Sequence, residues 1–184
     1  NDDGIGDIKG ITLKLDYLSW LGIDALWLSP VSVSPMYDFG YDISDYYDID
    51  QCYGSFDDFT ELVDKAHAHG IKIIMDLVIN HTSHLHKWFV ESRSSKDNRR
   101  RAWYIWHPGK NGKAPNNWRS AFGGSAWEFD SHTGEYYLHS FLKEQPDLNW
   151  RNSEMRKSIF KMMRHWLDMG VDGFRLDVVN WFVK

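Results

Sequence analysis

Three short clusters in this chain of 184 residues combine carboxylates, a guanidinium, an imidazole and a phenol at spacings that can do chemistry. One is Gly173-Phe174-Arg175-Leu176-Asp177-Val178-Val179-Asn180. Val171, Phe174 and Leu176 read as a short buried strand, interrupted by Arg175 and closed by Asp177. Buried parallel strands are nearly all apolar, so a guanidinium two residues before a carboxylate, on one strand face, breaks the pattern. Two readings stand on these residues alone: a structural ion pair at a strand end, or an active-site carboxylate held ionised by a neighbouring cation. The second cluster, Asp76-Leu77-Val78-Ile79-Asn80-His81, is an apolar run between a carboxylate and an imidazole. A lone histidine is more often structural, but this one closes a strand in line with Asp76. The third, Asp38-Phe39-Gly40-Tyr41-Asp42, is a turn that offers a carboxylate and an aromatic ring.

Other patterns carry less. Asn1, Asp3, the Ile5 carbonyl and Asp7 place oxygens at alternate positions, the spacing with which a short loop wraps a hard cation such as Ca²⁺. The alternative is a polar, Gly-rich turn that caps the next helix. Gly4 to Gly10 lacks a preceding strand and misplaces its third glycine, which rejects a dinucleotide fingerprint. His81, His84 and His86 match no helix-based zinc motif. Asn80-His81-Thr82 is a formal glycosylation sequon, but a strand end in a pocket is a poor acceptor site.

The elements that must position these clusters repeat. Helices are expected over about residues 7–21, 55–70 and 153–169, with Asp7 as an N-cap, and strands over 23–28, 71–78 and 171–176. Leu21-Gly22-Ile23, His69-Gly70-Ile71 and Met169-Gly170-Val171 each join helix to strand through one glycine. Alternation with such short joints implies a parallel sheet, and every polar cluster then falls at the carboxyl end of a strand. That is the functional rim of a (β/α)₈ barrel, and an open doubly wound sheet obeys a similar rule. Residues 29–54 read as a loop. The 74 residues from Ile79 to Asn152 are too long for one and read as an inserted subdomain rich in Trp, which suits a wall over a carbohydrate pocket, a small core of its own, or both. The expected division is 1–78, 79–152 and 153–184.

Composition excludes several classes. Net charge is −5 without a basic stripe, which argues against nucleic acid, and Arg99-Arg100-Arg101 reads as a solvated loop. No apolar run is long enough to span a membrane. Cys52 is the only cysteine, so a disulfide scaffold is excluded and a reducing, cytoplasmic compartment is permitted. Aromatics reach 16%, with ten Trp, which suits sugar faces as well as a core.

Taken together, Asp76–His81, Gly173–Asn180 and Gln145-Pro146-Asp147-Leu148-Asn149 resemble three conserved regions of the α-amylase superfamily, glycoside hydrolase family 13, in its oligo-1,6-glucosidase and α-glucosidase subgroup. The resemblance covers essentially the whole chain and implies strands two to four of a (β/α)₈ TIM barrel, with an inserted domain B after strand three. It implies Asp177 as nucleophile, Arg175 as the residue that orients it and keeps it ionised, and His81, Tyr41 and Asp38 as ligands of the terminal sugar. Phe141 and Gln145 would line the same subsite, Val178 would tilt preference toward α-1,6 links, and Asn1, Asp3, Ile5 and Asp7 match the subgroup's metal loop.

The implied function is exo-acting hydrolysis of short α-glucosides, with a structural Ca²⁺, no organic cofactor and a small oligosaccharide as partner. A retaining glycosidase needs a second, protonated carboxyl at roughly 5–5.5 Å from the nucleophile. The family's acid, a Glu ending strand five, has no counterpart among these residues, so the chain by itself is expected to be inactive and, as an unclosed half-barrel, to aggregate. Alternatives are a sucrose- or trehalose-type transglycosylase and the non-hydrolytic ectodomain of an amino-acid-transporter heavy chain. The intact Arg175–Asp177 pair and His81 argue against the latter.

Overall fold

Glycine-terminated helices feed the strands of a short parallel sheet, as the repeat in the sequence implies. The computed structural model describes Gly4 and residues 6–184. The chain runs α1 (Ile8–Thr12), α2 (Leu15–Leu21), β1 (Ala25–Leu28), β2 (Ser32–Val33), β3 (Asp45–Ile49), α3 (Phe56–Ala68), β4 (Lys72–Leu77), α4 (Lys87–Ser94), β5 (Trp106–His107), β6 (Trp127–Asp130), β7 (Glu135–Leu138), α5 (Ser153–Asp168) and β8 (Gly173–Leu176). Single 3₁₀ turns lie at Arg101–Trp103 and Val179–Trp181.

The starts and stops follow local chemistry. Ser55 and Asp58 form a reciprocal capping box on α3, and Asn152 caps α5 through the Met155 amide. Phe59, Leu62, Val63 and Ala66 of α3, and Met155, Ile159, Met162 and Trp166 of α5, are buried at helical spacing. Gly22, Gly70 and Gly170 take φ of 85°, 71° and 93°, a left-handed turn that a side chain disfavours. At Gly170 a Cβ would also stand 2.9 Å from Val63 Cγ1, so the glycine lets α5 close on α3.

Strands pair in the parallel order β1-β4-β8, with Trp27 opposite Ile74 and Asp76 opposite Arg175. Both crossover helices pack on one face: Phe59 of α3 meets Trp166 of α5 edge-on at 5.3 Å. A doubly wound sheet carries helices on both faces, whereas a barrel keeps them all outside. The singly wound order, with no reversal, therefore favours the barrel alternative. Period two then puts Trp27, Ile74, Asp76 and Arg175 on the face away from the helices.

Several expectations need correction. The helix expected over 7–21 is broken at Leu13–Lys14, where the Lys14 amide bonds the Ile11 carbonyl in a tightened turn. Within 29–54, β2 and β3 form an antiparallel pair with a register shift between Ser32 and Val33; strands so short and polar leave no alternating pattern to read. Leu176 is 46% exposed and Phe174 half-buried, because β8 is the sheet's edge and no described helix covers Leu176. Arg100 and Arg101 are not solvated: their guanidinium groups lie over the Trp103 and Trp106 rings and pair with Glu91 and Glu135. The aromatic stacking shields them from water more than a polar loop would.

Residues 79–152 hold α4 and the antiparallel sheet β5-β7-β6. Their core is not their own. Trp88, Phe89, Trp103, Tyr104, Tyr137 and Leu148 join one continuous apolar cluster with the parallel sheet, and among the described residues Ala126, Trp127 and Leu138 form a separate small one. Among the described residues no helix is long and apolar enough to cross a membrane.

Candidate active site

Parallel pairing brings the segments after β1, β4 and β8 to one edge of the sheet. Arg175 sits on β8, and Asp177 follows the strand by one residue. One guanidinium nitrogen, Arg175 Nη1, donates to Asp177 Oδ1 at 2.7 Å and to both carboxylate oxygens of Asp76 at 3.2 Å. The Arg175 guanidinium also lies over the Trp27 ring, 5.3 Å from its centroid. Asp177 and Asp76 are buried, 7% and 8% exposed, while Arg175 remains partly open to solvent. Burial, with the Asp177 charge nearby, raises the Asp76 carboxyl above the ordinary carboxylate range despite the Arg175 and Tyr41 contacts.

The Asp38–Asp42 turn closes the next side. Fully buried Asp42 is not a free carboxylate. It accepts from Ser34 Oγ and from the amides of Tyr37 and Asp38, which folds the turn around it. Gly40, at φ 95°, passes close under Pro30, whose carbonyl oxygen would lie 3.1 Å from any Cβ there. The turn so held presents Asp38 and Tyr41. The Tyr41 hydroxyl donates to Asp76 Oδ2 at 3.2 Å, and Asp38 Oδ2 accepts from Gln145 Nε2 at 2.9 Å.

His81 stands behind this turn. It is 2% exposed, and burial pushes its imidazole below the ordinary pKa. Its Nε2 lies 3.1 Å from the Tyr41 carbonyl and 3.2 Å from Gln145 Nε2, and its ring centroid is 5.4 Å from that of Phe141. Phe141 also packs on Trp181, at 5.6 Å. The structure thus gathers Asp177, Arg175, Asp38, Tyr41, His81, Phe141 and Gln145 in one contiguous network. Val178, next to Asp177, has φ 40° and ψ 43°, a left-handed conformation unusual for a β-branched residue.

Of the candidate metal loop, Asn1, Asp3 and Ile5 lie outside the described residues. Asp7 accepts from the Gly10 amide at 2.6 Å and caps α1, as expected. Among the described residues no group of three or more His, Cys, Asp and Glu side chains is arranged to hold a metal. His86 instead caps α4 by accepting from the Trp88 amide, and burial lowers its pKa to about 3. Asn80 of the formal sequon is fully buried, which leaves no room for a glycan.

Residue patterns assigned no role to four members. Asp76 is a carboxylate at the centre of the network, and its strand position shared with the Arg175 pattern was the available signal. Asn80, Asp147 and Lys184 form a buried polar hub behind His81: Lys184 Nζ is 2.8 Å from Asp147 Oδ2 and 2.8 Å from Asn80 Oδ1. Nothing in the sequence links three polar residues so far apart.

Fold and site together define a parallel α/β protein with a polar site at the carboxyl ends of its strands. The chain belongs to the alpha-amylase catalytic-domain family, whose profile matches residues 1–184. It is 61% identical over 184 residues to an oligo-1,6-glucosidase of Parageobacillus thermoglucosidasius, covering all of this chain and 33% of that protein. It is 56% identical to an alpha-glucosidase of Pediococcus pentosaceus, with the same coverage. Among solved structures, the trehalulose synthase of Pseudomonas mesoacidophila MX-45 superposes with a TM-score of 0.98 at 52% identity, over all of this chain and 33% of that one. The chain spans about a third of the length of these relatives.

Proposed function

We propose that this chain carries the nucleophile side of the active site of a retaining, exo-acting α-glucosidase that cleaves terminal α-1,6 or α-1,4 bonds of short oligosaccharides. On this reading β1, β4 and β8 are strands two to four of a (β/α)₈ barrel, 1–78 and 153–184 belong to that barrel, and 79–152 is its inserted domain. The observation that carries the proposal is the single Arg175 nitrogen that bridges Asp177 and Asp76 at 2.7 and 3.2 Å.

Asp177 attacks the anomeric carbon, the glycosidic oxygen leaves with a proton from a second carboxyl, and water then hydrolyses the glucosyl ester. Asp76 is unsuited to give that proton, because its side chain has no exposed surface and both oxygens are held by Arg175. On the family pattern the proton donor is a Glu at the end of strand five, which has no counterpart in residues 1–184, so this stretch alone is assigned no turnover. Tyr41 supplies a ring face to the terminal sugar, while Asp38, His81 and Gln145 supply polar contacts and Phe141 an apolar wall. Val178 touches the leaving-group side and favours α-1,6 links by one methyl-scale contact, worth about 1–3 kcal/mol.

The Asn1–Asp7 oxygens are of the type Ca²⁺ takes, and a structural role for that ion is part of the proposal. So is a cytoplasmic location, supported by the single, unpaired Cys52. A transglycosylating variant of the same chemistry is the second reading, supported by the likeness to a trehalulose synthase.

The test is hydrolysis of isomaltose and of an aryl α-glucoside by the intact protein. Asp177→Asn is expected to lower turnover at least about a thousandfold, about 4 kcal/mol of barrier. Mass spectrometry of the quenched wild type should find a glucosyl group on the Asp177 peptide. Turnover retained in D177N would overturn the assignment, and sugar isomers in place of glucose would favour the second reading.

A further inference from the structure

The orientation of one buried amide decides the state of His81. Asn80 is fully buried. Its Oδ1 lies 2.8 Å from Lys184 Nζ, a group that only donates, and its Nδ2 lies 3.2 Å from Asp147 Oδ1, a group that accepts. Reversing the amide would set NH₂ against an ammonium and an oxygen against a carboxylate. Asn80 Nδ2 therefore also donates to His81 Nδ1, 3.0 Å away, so that Nδ1 must carry a lone pair. The ring proton then sits on Nε2, where it donates to the Tyr41 carbonyl at 3.1 Å. Gln145 is fixed in turn, with Oε1 accepting from the Leu142 amide and Nε2 donating to Asp38, so its 3.2 Å approach to His81 Nε2 is a close pass of two donors.

We propose that Lys184 and Asp147 are positioning residues that act through Asn80 to hold His81 as the neutral tautomer protonated on Nε2. Asp147 is anchored for this work. It is fully buried and accepts from the Ser140 amide and hydroxyl within residues 79–152, while its Oδ2 pairs with Lys184 Nζ at 2.8 Å, which ties that segment to the residues after β8. An imidazolium would need a proton on Nδ1, where Asn80 already presents one. The charged groups around the ring are Asp147, Asp177 and Lys184, with Asp38 reached through Gln145. The two aspartates that act directly on His81 favour its protonation, and burial together with Lys184 opposes it. His81 is thereby kept a donor at Nε2 and is withheld from acid–base work. Its use toward a sugar hydroxyl rests on the glucosidase reading, but the tautomer does not.

Long-range ¹H–¹⁵N spectra of the intact, ¹⁵N-histidine-labelled protein without substrate test this, with His81 assigned by the loss of its signals in H81Q. The expected pattern is an unprotonated Nδ1 and a protonated Nε2, unchanged from about pH 6 to about 8. Lys184→Met should free Asn80 to reverse, mix the tautomers and raise the pH at which His81 protonates, while Lys184→Arg should restore the wild-type pattern. Asn80→Asp, with an oxygen facing Nδ1, should move the proton there. A wild-type spectrum with Nδ1 protonated overturns the tautomer. A folded K184M protein with the wild-type pattern and titration overturns the role of Lys184. Either result leaves the glucosidase reading to the turnover of D177N.

Discussion

Asp76 and Asp177 share one nitrogen: Arg175 Nη1 reaches Asp177 Oδ1 at 2.7 Å and both oxygens of Asp76 at 3.2 Å. Two buried carboxylates are thus carried by a single cation, and the cost of removing it falls on the more deeply buried one. Arg175→Met is expected to lower stability by about 2 kcal/mol at neutral pH, below the range for fully buried pairs because the guanidinium is partly exposed. The Asp76 carboxyl is raised by burial in the folded state, so its stabilising contribution is greatest when it is protonated and is lost as pH rises through the folded value. The defect of R175M should therefore shrink on acidification. Urea unfolding of both proteins at several pH values measures it, and a defect that grows toward acid would contradict the account.

His86 gives the opposite limb. Its pKa is lowered to about 3 in the folded protein, against 6.5 for the ordinary group. Its contribution is complete above the unfolded value and is lost as pH falls from about 6.5 toward 3, because the unfolded chain binds the proton first. The slope is about 1.4 kcal/mol per pH unit for one proton. His86→Asn keeps a capping side chain on α4 and removes the titration. Its stability should fall less steeply than wild type over that window, as thermal unfolding at matched pH values would record.

Tyr41→Phe separates the hydroxyl from the ring. The lost bond to Asp76 Oδ2, 3.2 Å in length, should cost about 1 kcal/mol of stability. If the ring face is what serves the sugar, turnover should stay within about tenfold of wild type, whereas Tyr41→Ala should lose far more. Equal losses in the two variants, measured as kcat/KM on isomaltose, would assign the role to the hydroxyl.

Val178 holds a left-handed backbone at φ 40°, which costs a non-glycine residue about 1–2 kcal/mol. Val178→Gly should recover most of that, offset by the lost contacts of a half-buried side chain, whereas Val178→Ala keeps the strain. The ratio of kcat/KM for isomaltose over maltose should fall about tenfold in V178A. An unchanged ratio would remove Val178 from linkage selection.

Much of the framework was legible in the residues. The Asp7 cap, the helix starts near 55 and 153 and the glycine stops at 22, 70 and 170 are local signals, and each marks an element close to where it lies. The pairing of Arg175 with Asp177 was equally local, because period two puts them on one strand face. The strands β2 and β3 were hidden because their pairing, rather than their own pattern, makes them strands. Asp42, the second carboxylate of the Asp38–Asp42 turn, proved to be that turn's internal anchor.

By itself, then, the order of residues pointed to the helix–strand alternation, the parallel sheet, the rim on which chemistry would gather, and the candidates Asp177, Arg175, His81, Asp38 and Tyr41, whereas Phe141, Gln145 and Val178 came only from the family resemblance. The tertiary structure alone decided that both crossover helices cover one face, that residues 79–152 share the main core, and that Asp76 hangs on the same guanidinium as Asp177. It alone brought Lys184 and Asp147 to Asn80, across separations of 104 and 67 residues, and so fixed the proton on His81. The physical reason is range. Caps, turns and periodicity act over a few residues and are written in local sequence, whereas the burial that raises a carboxyl's pKa and the hydrogen bonds that set a histidine's tautomer depend on which distant segments close around the group.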